Sequence, residues 1–411
     1  MTSDPYRERR VFVWTWLPDA SEPVVAGAVD RVGADRLDFT YARSYFEDES
    51  AISLYAPELP LRRGSQEPLD GLTIAACLKD ATPDSWGERV IGNRIGSGEV
   101  ELSSETYMLE SGSNRFGALD FQQSAEEYRP RQDTASLDEL YDAAEKVLAG
   151  EPLTPAVGDA LVNGTSIGGA HPKVLLTNDS GTEYVAKLSV SSDVHPVIRA
   201  EAVGIELARR CGLAVPDARV VKSMGRDVLL IERFDRLPGG RRRHVVSGLT
   251  MFGFDALLGA RYGSYPEMLD VLRERGNAPQ HVGRQLFERV VFNVAIGNND
   301  DHARNHAAFW DGQSLELTPA FDLTPQVRST DTSAQAMDIG RDGSRSCQFS
   351  TCVAAAADYG LSRPEASEIV DHIVSTIGAE WPAAADAAGL SDADRNALWR
   401  RSVLNRSTFY D

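Results

Sequence analysis

The sequence predicts an α+β protein with a β-rich N-terminal module, a small sheet carrying one helix, and a mainly helical C-terminal lobe. Three observations predict it. Bulky β-formers alternate early in the chain, in Val11-Phe-Val-Trp-Thr-Trp-Leu17 and Leu37-Asp-Phe-Thr-Tyr41. A turn–strand–strand–helix order begins at Asn163. After Thr250 the apolar spacing is almost wholly helical, broken by one loop region from Gly297 to Gln326.

Each element has its own signal. Asp80 to Ile91 starts a helix, with Asp84 or Ser85 as the cap. The polar stretch from Gln122 to Ala135 reads as a linker. Ser136 caps the amphipathic helix SLDELYDAAEKVLAG, which Gly150 ends. NGTSIGGAHPK is a Gly-rich turn, and Val174–Thr177 and Tyr184–Leu188 form hairpin strands across NDSGTE. His195 to Cys211 is helical, and strands Ala218–Val221 and Val228–Ile231 follow. The expected domains are therefore 1–125, 136–250 and 251–411.

Composition narrows the classes. The 411 residues carry 42 Lys plus Arg against 61 Asp plus Glu, a net charge of −19. With a pI of about 4.9, the chain lacks the basic face that phosphate contacts on nucleic acid require. RERR at 7–10 and GGRRRH at 239–244 read as solvated charge in a tail and a hairpin turn. No apolar run is long enough for a membrane span, and no signal-peptide pattern opens the chain. The four cysteines fit neither a disulfide framework nor a zinc site, so a reduced, cytoplasmic protein is expected.

Chemistry concentrates in Asn298-Asn-Asp-Asp-His-Ala-Arg-Asn-His306, after the apolar helix Leu286–Ile296. This run is too polar for an unpaired place in a core. Asp322 lies farther on, between Phe321 and Leu323, and a carboxylate there needs a partner such as a metal ion. Asp300 and Asn305 stand as D-x-x-x-x-N ahead of it. Protein kinases use that geometry: one Asp takes the hydroxyl proton, while the Asn and a downstream Asp hold Mg²⁺ on ATP. Upstream, Ser166-Ile-Gly-Gly-Ala-His-Pro-Lys173 offers backbone N–H groups at Gly168 and Gly169 to phosphate, although it is not a Walker loop. Lys187 ends Tyr184-Val-Ala-Lys like the strand lysine of kinases, with Glu201 as its expected ion-pair partner. Lys173 and Arg304 are further cations able to neutralise phosphate. Two other classes stay open: a pseudokinase or ATP-gated partner-binding module, and a metal-dependent hydrolase using Asp300, Asp301, His302, His306 and Asp322.

With these segments in chain order, the sequence resembles the HipA family, the serine/threonine kinase toxins of bacterial type II toxin–antitoxin systems. The matching pieces are Asp84-Ser-Trp-Gly-Glu-Arg, Ser166-Ile-Gly-Gly-Ala-His-Pro-Lys, Tyr184-Val-Ala-Lys, Glu232-Arg-Phe-Asp-Arg, Phe292 through His306, and Ala320-Phe-Asp-Leu-Thr-Pro. The resemblance implies a protein-kinase-like two-lobed fold with Asp300 as catalytic base and Asn305 and Asp322 as Mg²⁺ ligands. It makes Lys187 the phosphate anchor, sets Lys173 at the end of the phosphate loop, and puts Glu232 and Phe234 in the adenine-contacting connection. Ser166 matches the loop serine that family members autophosphorylate, an off switch because phosphoserine would put about −1.5 to −2 charge where ATP phosphates belong. The family's target class, aminoacyl-tRNA synthetases and notably the glutamyl enzyme, becomes the expected substrate. A small helix-turn-helix antitoxin becomes the expected partner, with DNA reached only through it. One departure is that D-F-G is Asp322-Leu-Thr here, so a Phe-based switch does not transfer.

Overall fold

Alternating apolar residues build the first sheet. Strands β1 (Val11–Thr15), β2 (Val24–Val32), β3 (Arg36–Tyr41), β4 (Ser65–Gln66) and β5 (Leu119–Gln122) pair antiparallel in the order β4–β3–β2–β1–β5. Val11, Val13, Val29, Phe39 and Phe121 are buried in its core. The computed structural model describes residues 4–97, 101–131, 135–151, 153–163, 171–191, 193, 195–326 and 332–410.

The stretch expected to be a linker is tied down along its described part. Gln122 belongs to β5, and Tyr128 packs against Trp14 and Trp16 with ring centroids 5.3 and 5.6 Å away. Arg131 donates to buried Asp120 at 3.0 Å, beside the Arg115–Asp120 pair at 2.7 Å. Composition marked the segment as polar, but opposite charge and aromatic contacts gave it partners.

A second sheet runs in the order β6–β7–β9–β8, with β6 at Lys173–Thr177, β7 at Glu183–Leu188, β8 at Ala218–Ser223 and β9 at Arg226–Glu232. Helices α1 (Ser85–Ile95), α2 (Leu137–Leu148) and α3 (Pro155–Asn163) contribute to the same core. Asp84 caps α1 by accepting from the Gly87 N–H at 2.9 Å, and Ser136 with Glu139 closes a capping box on α2. Trp86, Val90, Leu140 and Leu161 pack with Val174, Ala186 and Val228 from the sheet. Period-two alternation buries Tyr184, Ala186 and Leu188 of β7, so the half-buried Lys187 stands on the other face.

The helical part centres on α4 (Val197–Arg210), α5 (Tyr265–Arg275), α6 (Val282–Ile296) and α7 (Arg363–Ala387), where α7 packs on α4 and α6. Helix α6 is apolar nearly all round, and Phe287, Val290, Val291, Val294 and Ala295 are fully buried, which makes it the central helix.

The chain forms two compact units. Unit one comprises 1–192, 221–246 and 310–313; unit two comprises 193–220, 247–309 and 314–411. The 1–125 and 136–250 regions read from the sequence share unit one apart from 193–220 and 247–250, and 251–411 lies in unit two apart from 310–313.

Candidate active site

In unit two, α6 ends at Gly297, whose φ of 73° is the left-handed conformation that glycine adopts without a Cβ clash. The next nine residues carry the polar run, and neighbouring carboxylates in it have opposite fates. Asp301 is buried, and its Oδ2 accepts from Tyr265 Oη at 2.7 Å, Asn293 Nδ2 at 2.7 Å and His306 Nε2 at 3.0 Å. Burial and this contact hold the Tyr265 hydroxyl well above its ordinary pKa. Asp300 is exposed, and its carboxylate has no partner among the described residues. Asn305 Nδ2 donates to the Asp300 carbonyl at 3.1 Å, which pins the turn and leaves the Asn305 Oδ1 as an acceptor. Arg304 is exposed on the same short 3₁₀ turn, Ala303–Asn305.

Asp322 is half-buried with a φ of 60°, a conformation that costs a non-glycine residue on the order of 1 kcal/mol or more and persists only where neighbours enforce it. Neighbouring amides enforce it. Asn298 Nδ2 donates to the Asp322 carbonyl at 3.2 Å and to Asn293 Oδ1 at 2.9 Å. Gln335 Nε2 donates to the Asn298 carbonyl at 2.9 Å. Asn293 thus links Asp301 on one side to the Asp322 backbone on the other. Gly204 of α4 adds a steric support, since a Cβ there would lie 1.8 Å from the Leu323 carbonyl oxygen. Asn305 Oδ1 and the Asp322 carboxylate are hard oxygen donors of the kind Mg²⁺ takes, so the donor chemistry fits that ion.

Unit one holds Lys173, Lys187, Glu232 and Phe234. Lys187 sits opposite Lys173 in the β6–β7 register. Lys173 is buried and paired with Asp84 at 2.9 Å, and Trp86 Nε1 donates to its carbonyl at 3.2 Å. Two like charges facing across a ladder repel, and Asp84 offsets that repulsion at Lys173. The Asp84-Ser-Trp segment is therefore a clamp on β6. Glu232 ends β9 opposite Tyr184, and Phe234 meets Phe116 edge-on at 6.0 Å. The charged residues that flank Phe234 close on one another. Arg233 and Arg236 both pair with buried Asp235, at 2.7 and 3.0 Å, and both donate to the Arg115 carbonyl. These guanidinium groups, with the Gly117 N–H at 2.7 Å, hold the Asp235 carboxyl down at about 2 despite its burial. Glu201 is buried on α4 in unit two. Ser166, Gly168 and Gly169 lie outside the described residues.

Sequence reading missed Tyr265, Asn293, Asn298 and Gln335 as supports of the loop. Asn293, in the middle of an apolar helix, was the signal available, because a buried amide needs partners. The hydrolase reading loses its donor set. Asp301 and His306 are spent on each other, and among the described residues no three His, Cys, Asp or Glu side chains are grouped to hold a metal ion.

The whole chain is similar in three dimensions to a chain of the Shewanella oneidensis MR-1 toxin–antitoxin complex of HipA, HipB and operator DNA. The TM-score is 0.71 at 18% identity, covering 96% of each chain. The fold is thus the two-lobed, protein-kinase-like one, and the class of protein it and the relatives define is a kinase. Y4mE of Sinorhizobium fredii (strain NBRC 101917 / NGR234), named as a kinase, is 26% identical over 331 residues, covering 74% of this chain and 76% of that one. The serine/threonine-protein kinase toxin HipA of Shewanella oneidensis is 25% identical over 183 residues, covering 38% and 42%. Residues 165–381, more than half of the chain, match the family model described as the HipA-like C-terminal domain. The chain belongs to the HipA family.

Proposed function

We propose that this kinase transfers the γ-phosphoryl group of Mg-ATP to serine or threonine hydroxyls of a protein, as the toxin of a type II toxin–antitoxin pair. The observation that carries the reading is the division of labour between neighbouring carboxylates. Asp301 has its Oδ2 filled by three donors, whereas Asp300 presents an exposed carboxylate on the loop that this network holds. A general base needs an unspent acceptor in a fixed position, and Asp300 meets both conditions.

In this mechanism Asp300 accepts the proton of the attacking hydroxyl. Asn305 and Asp322 would hold Mg²⁺, which supplies charge neutralisation on the triphosphate. Asn298 and Asn293 keep Asp322 in its left-handed conformation, so the carboxylate needs no rearrangement on binding. Lys187 anchors phosphate, with Glu201 as its ion-pair partner. Arg304, Gly168, Gly169 and Lys173 add positive charge or N–H donors, and Glu232 and Phe234 contact adenine. Phosphorylation of Ser166 switches the enzyme off.

The Shewanella complex joins HipA to HipB and operator DNA. That supports a small helix-turn-helix antitoxin as partner here, with DNA reached through it, and the −19 charge of this chain fits that division. The substrate is an aminoacyl-tRNA synthetase, the glutamyl enzyme first, and the setting is the cytoplasm. Among the described residues no helix is long and apolar enough to cross a membrane. Incubation with labelled ATP and Mg²⁺ tests the reading. Wild type should label Ser166 and a bacterial protein, and Asp300→Ala should label neither. Wild type that binds ATP but transfers nothing would establish the pseudokinase alternative instead.

A further inference from the structure

Unit two contains a cavity of about 450 Å³ that none of the residues assigned above lines. Its walls come from the turn after α4, the end of α5, one face of α6, and the segment Leu315–Leu317. Leu213, Leu272 and Val282 give it an apolar patch within a mainly polar lining. One wall residue is charged and buried: Arg289 on α6, only 7% exposed.

Arg289 differs from the two other most buried arginines among the described residues. The equally buried Arg115 and Arg233 each have a carboxylate, Asp120 at 2.7 Å and Asp235 at 2.7 Å. Arg289 has none among the described residues. Its Nη2 donates to the Thr318 carbonyl, and the guanidinium's other donors are unspent there. A buried cation with no carboxylate at ion-pair distance is costly, and burial brings this one down to about 10, with buried Asp301 acting on it only from beyond that distance. Such a group lining a cavity is a ready partner for a ligand carboxylate, in bidentate geometry.

The rim restricts what enters. Glu288 lines the cavity but is paired with Arg284 at 2.9 Å. Glu316 is exposed at the edge, as is the Gln285 amide. Two acidic side chains at the mouth oppose a polyanion and favour a ligand with a donor group at its far end. The volume suits a compound of amino-acid size with its water.

We propose that this cavity binds a small amino or hydroxy acid, its carboxylate paired with Arg289 and its ammonium or hydroxyl group set toward Glu316 and Gln285. The site adjoins the supports of the catalytic loop. Arg289 lies one helical turn before Asn293, and Thr318, its partner, lies four residues before Asp322. The Ala320 N–H bonds to the carbonyl of the wall residue Ala214 at 2.8 Å. The proposal goes beyond the kinase reading and does not rest on it, because its test measures binding without phosphotransfer.

The full chain is titrated calorimetrically with glycine, L-serine, L-glutamate and lactate, with glycinamide and inorganic phosphate as comparators. At least one of the four acids should bind wild type saturably, and glycinamide, which lacks the carboxylate, should not. Arg289→Met should weaken that acid about tenfold or more. Gln285→Trp, a change at an exposed helix position that obstructs the mouth, should weaken it similarly, and it carries the test alone if Arg289→Met does not fold. Absence of saturable binding by all four acids overturns the proposal. So does unchanged affinity in the variants, or tighter binding of phosphate than of any acid.

Discussion

Replacing Asp300 and Asp301 one at a time separates a chemical role from a structural one. Asp301→Ala strands three buried donors, on Tyr265, Asn293 and His306. At about 1–3 kcal/mol for each unsatisfied buried group, the loss is on the order of 3–9 kcal/mol. That is comparable with the ~5–15 kcal/mol total stability of a typical domain. Asp300 is exposed and its carboxylate has no partner among the described residues, so Asp300→Ala should change stability by no more than about 0.5 kcal/mol. The same substitution should lower phosphotransfer by roughly 10²–10⁴-fold, the usual contribution of a general base. Urea unfolding gives the first pair of numbers and incorporation of labelled phosphate gives the second. A stable, inactive Asp301→Ala beside an active Asp300→Ala would reverse the assignment and refute the reasoning.

Three further outcomes are expected. Gly204→Ala puts a Cβ 1.8 Å from the Leu323 carbonyl oxygen, so it should cost about 1–3 kcal/mol in urea unfolding and weaken Mg-ATP binding; wild-type values for both would remove Gly204 as a support of Asp322. Asp84→Ala removes the carboxylate paired with the buried Lys173 ammonium, a loss of about 3–5 kcal/mol by denaturant titration, and adding Lys173→Met should recover part of it. His244 is buried beside Thr15 Oγ1 and the Trp16 carbonyl, and burial pushes its imidazole down to about 4. The unfolded chain then takes a proton below pH ~6.5 that the folded chain refuses until pH nears 4, so stability falls as pH drops through that window. Between pH 7 and 5 wild type should lose about 2 kcal/mol more than His244→Phe, and equal losses would contradict a neutral buried ring.

Much of the fold was legible in local pattern. Alternation in Val11–Thr15 and Glu183–Leu188 and the cap at Ser136 are short-range signals, and the structure has elements at those places. The polar run after α6 was equally visible as a site candidate. Its internal assignment was not. Asp300 and Asp301 are adjacent and chemically identical, and the approach of Tyr265, 36 residues upstream of Asp301, with Asn293 and His306 distinguishes them. Lys173 shows the same limit: as a sequence feature it is a cation beside a glycine turn, yet Asp84, 89 residues away, takes up its charge. The ERFDR motif likewise reads as a charge cluster until its arginines are seen closing on Asp235 and the Arg115 carbonyl.

The alternation of strands, the capped helices, the apolar helix α6 and the order Lys187, Asp300, Asn305, Asp322 are written in the residues themselves. These follow from residue type and spacing, which act over a few residues. Which carboxylate is spent, how Lys173 is neutralised and how Asp322 is held in a left-handed conformation depend on packing. Each of those depends on a side chain brought in from a distant part of the chain, and burial makes such a contact decisive, because a polar group taken out of water must find its partner in the fold.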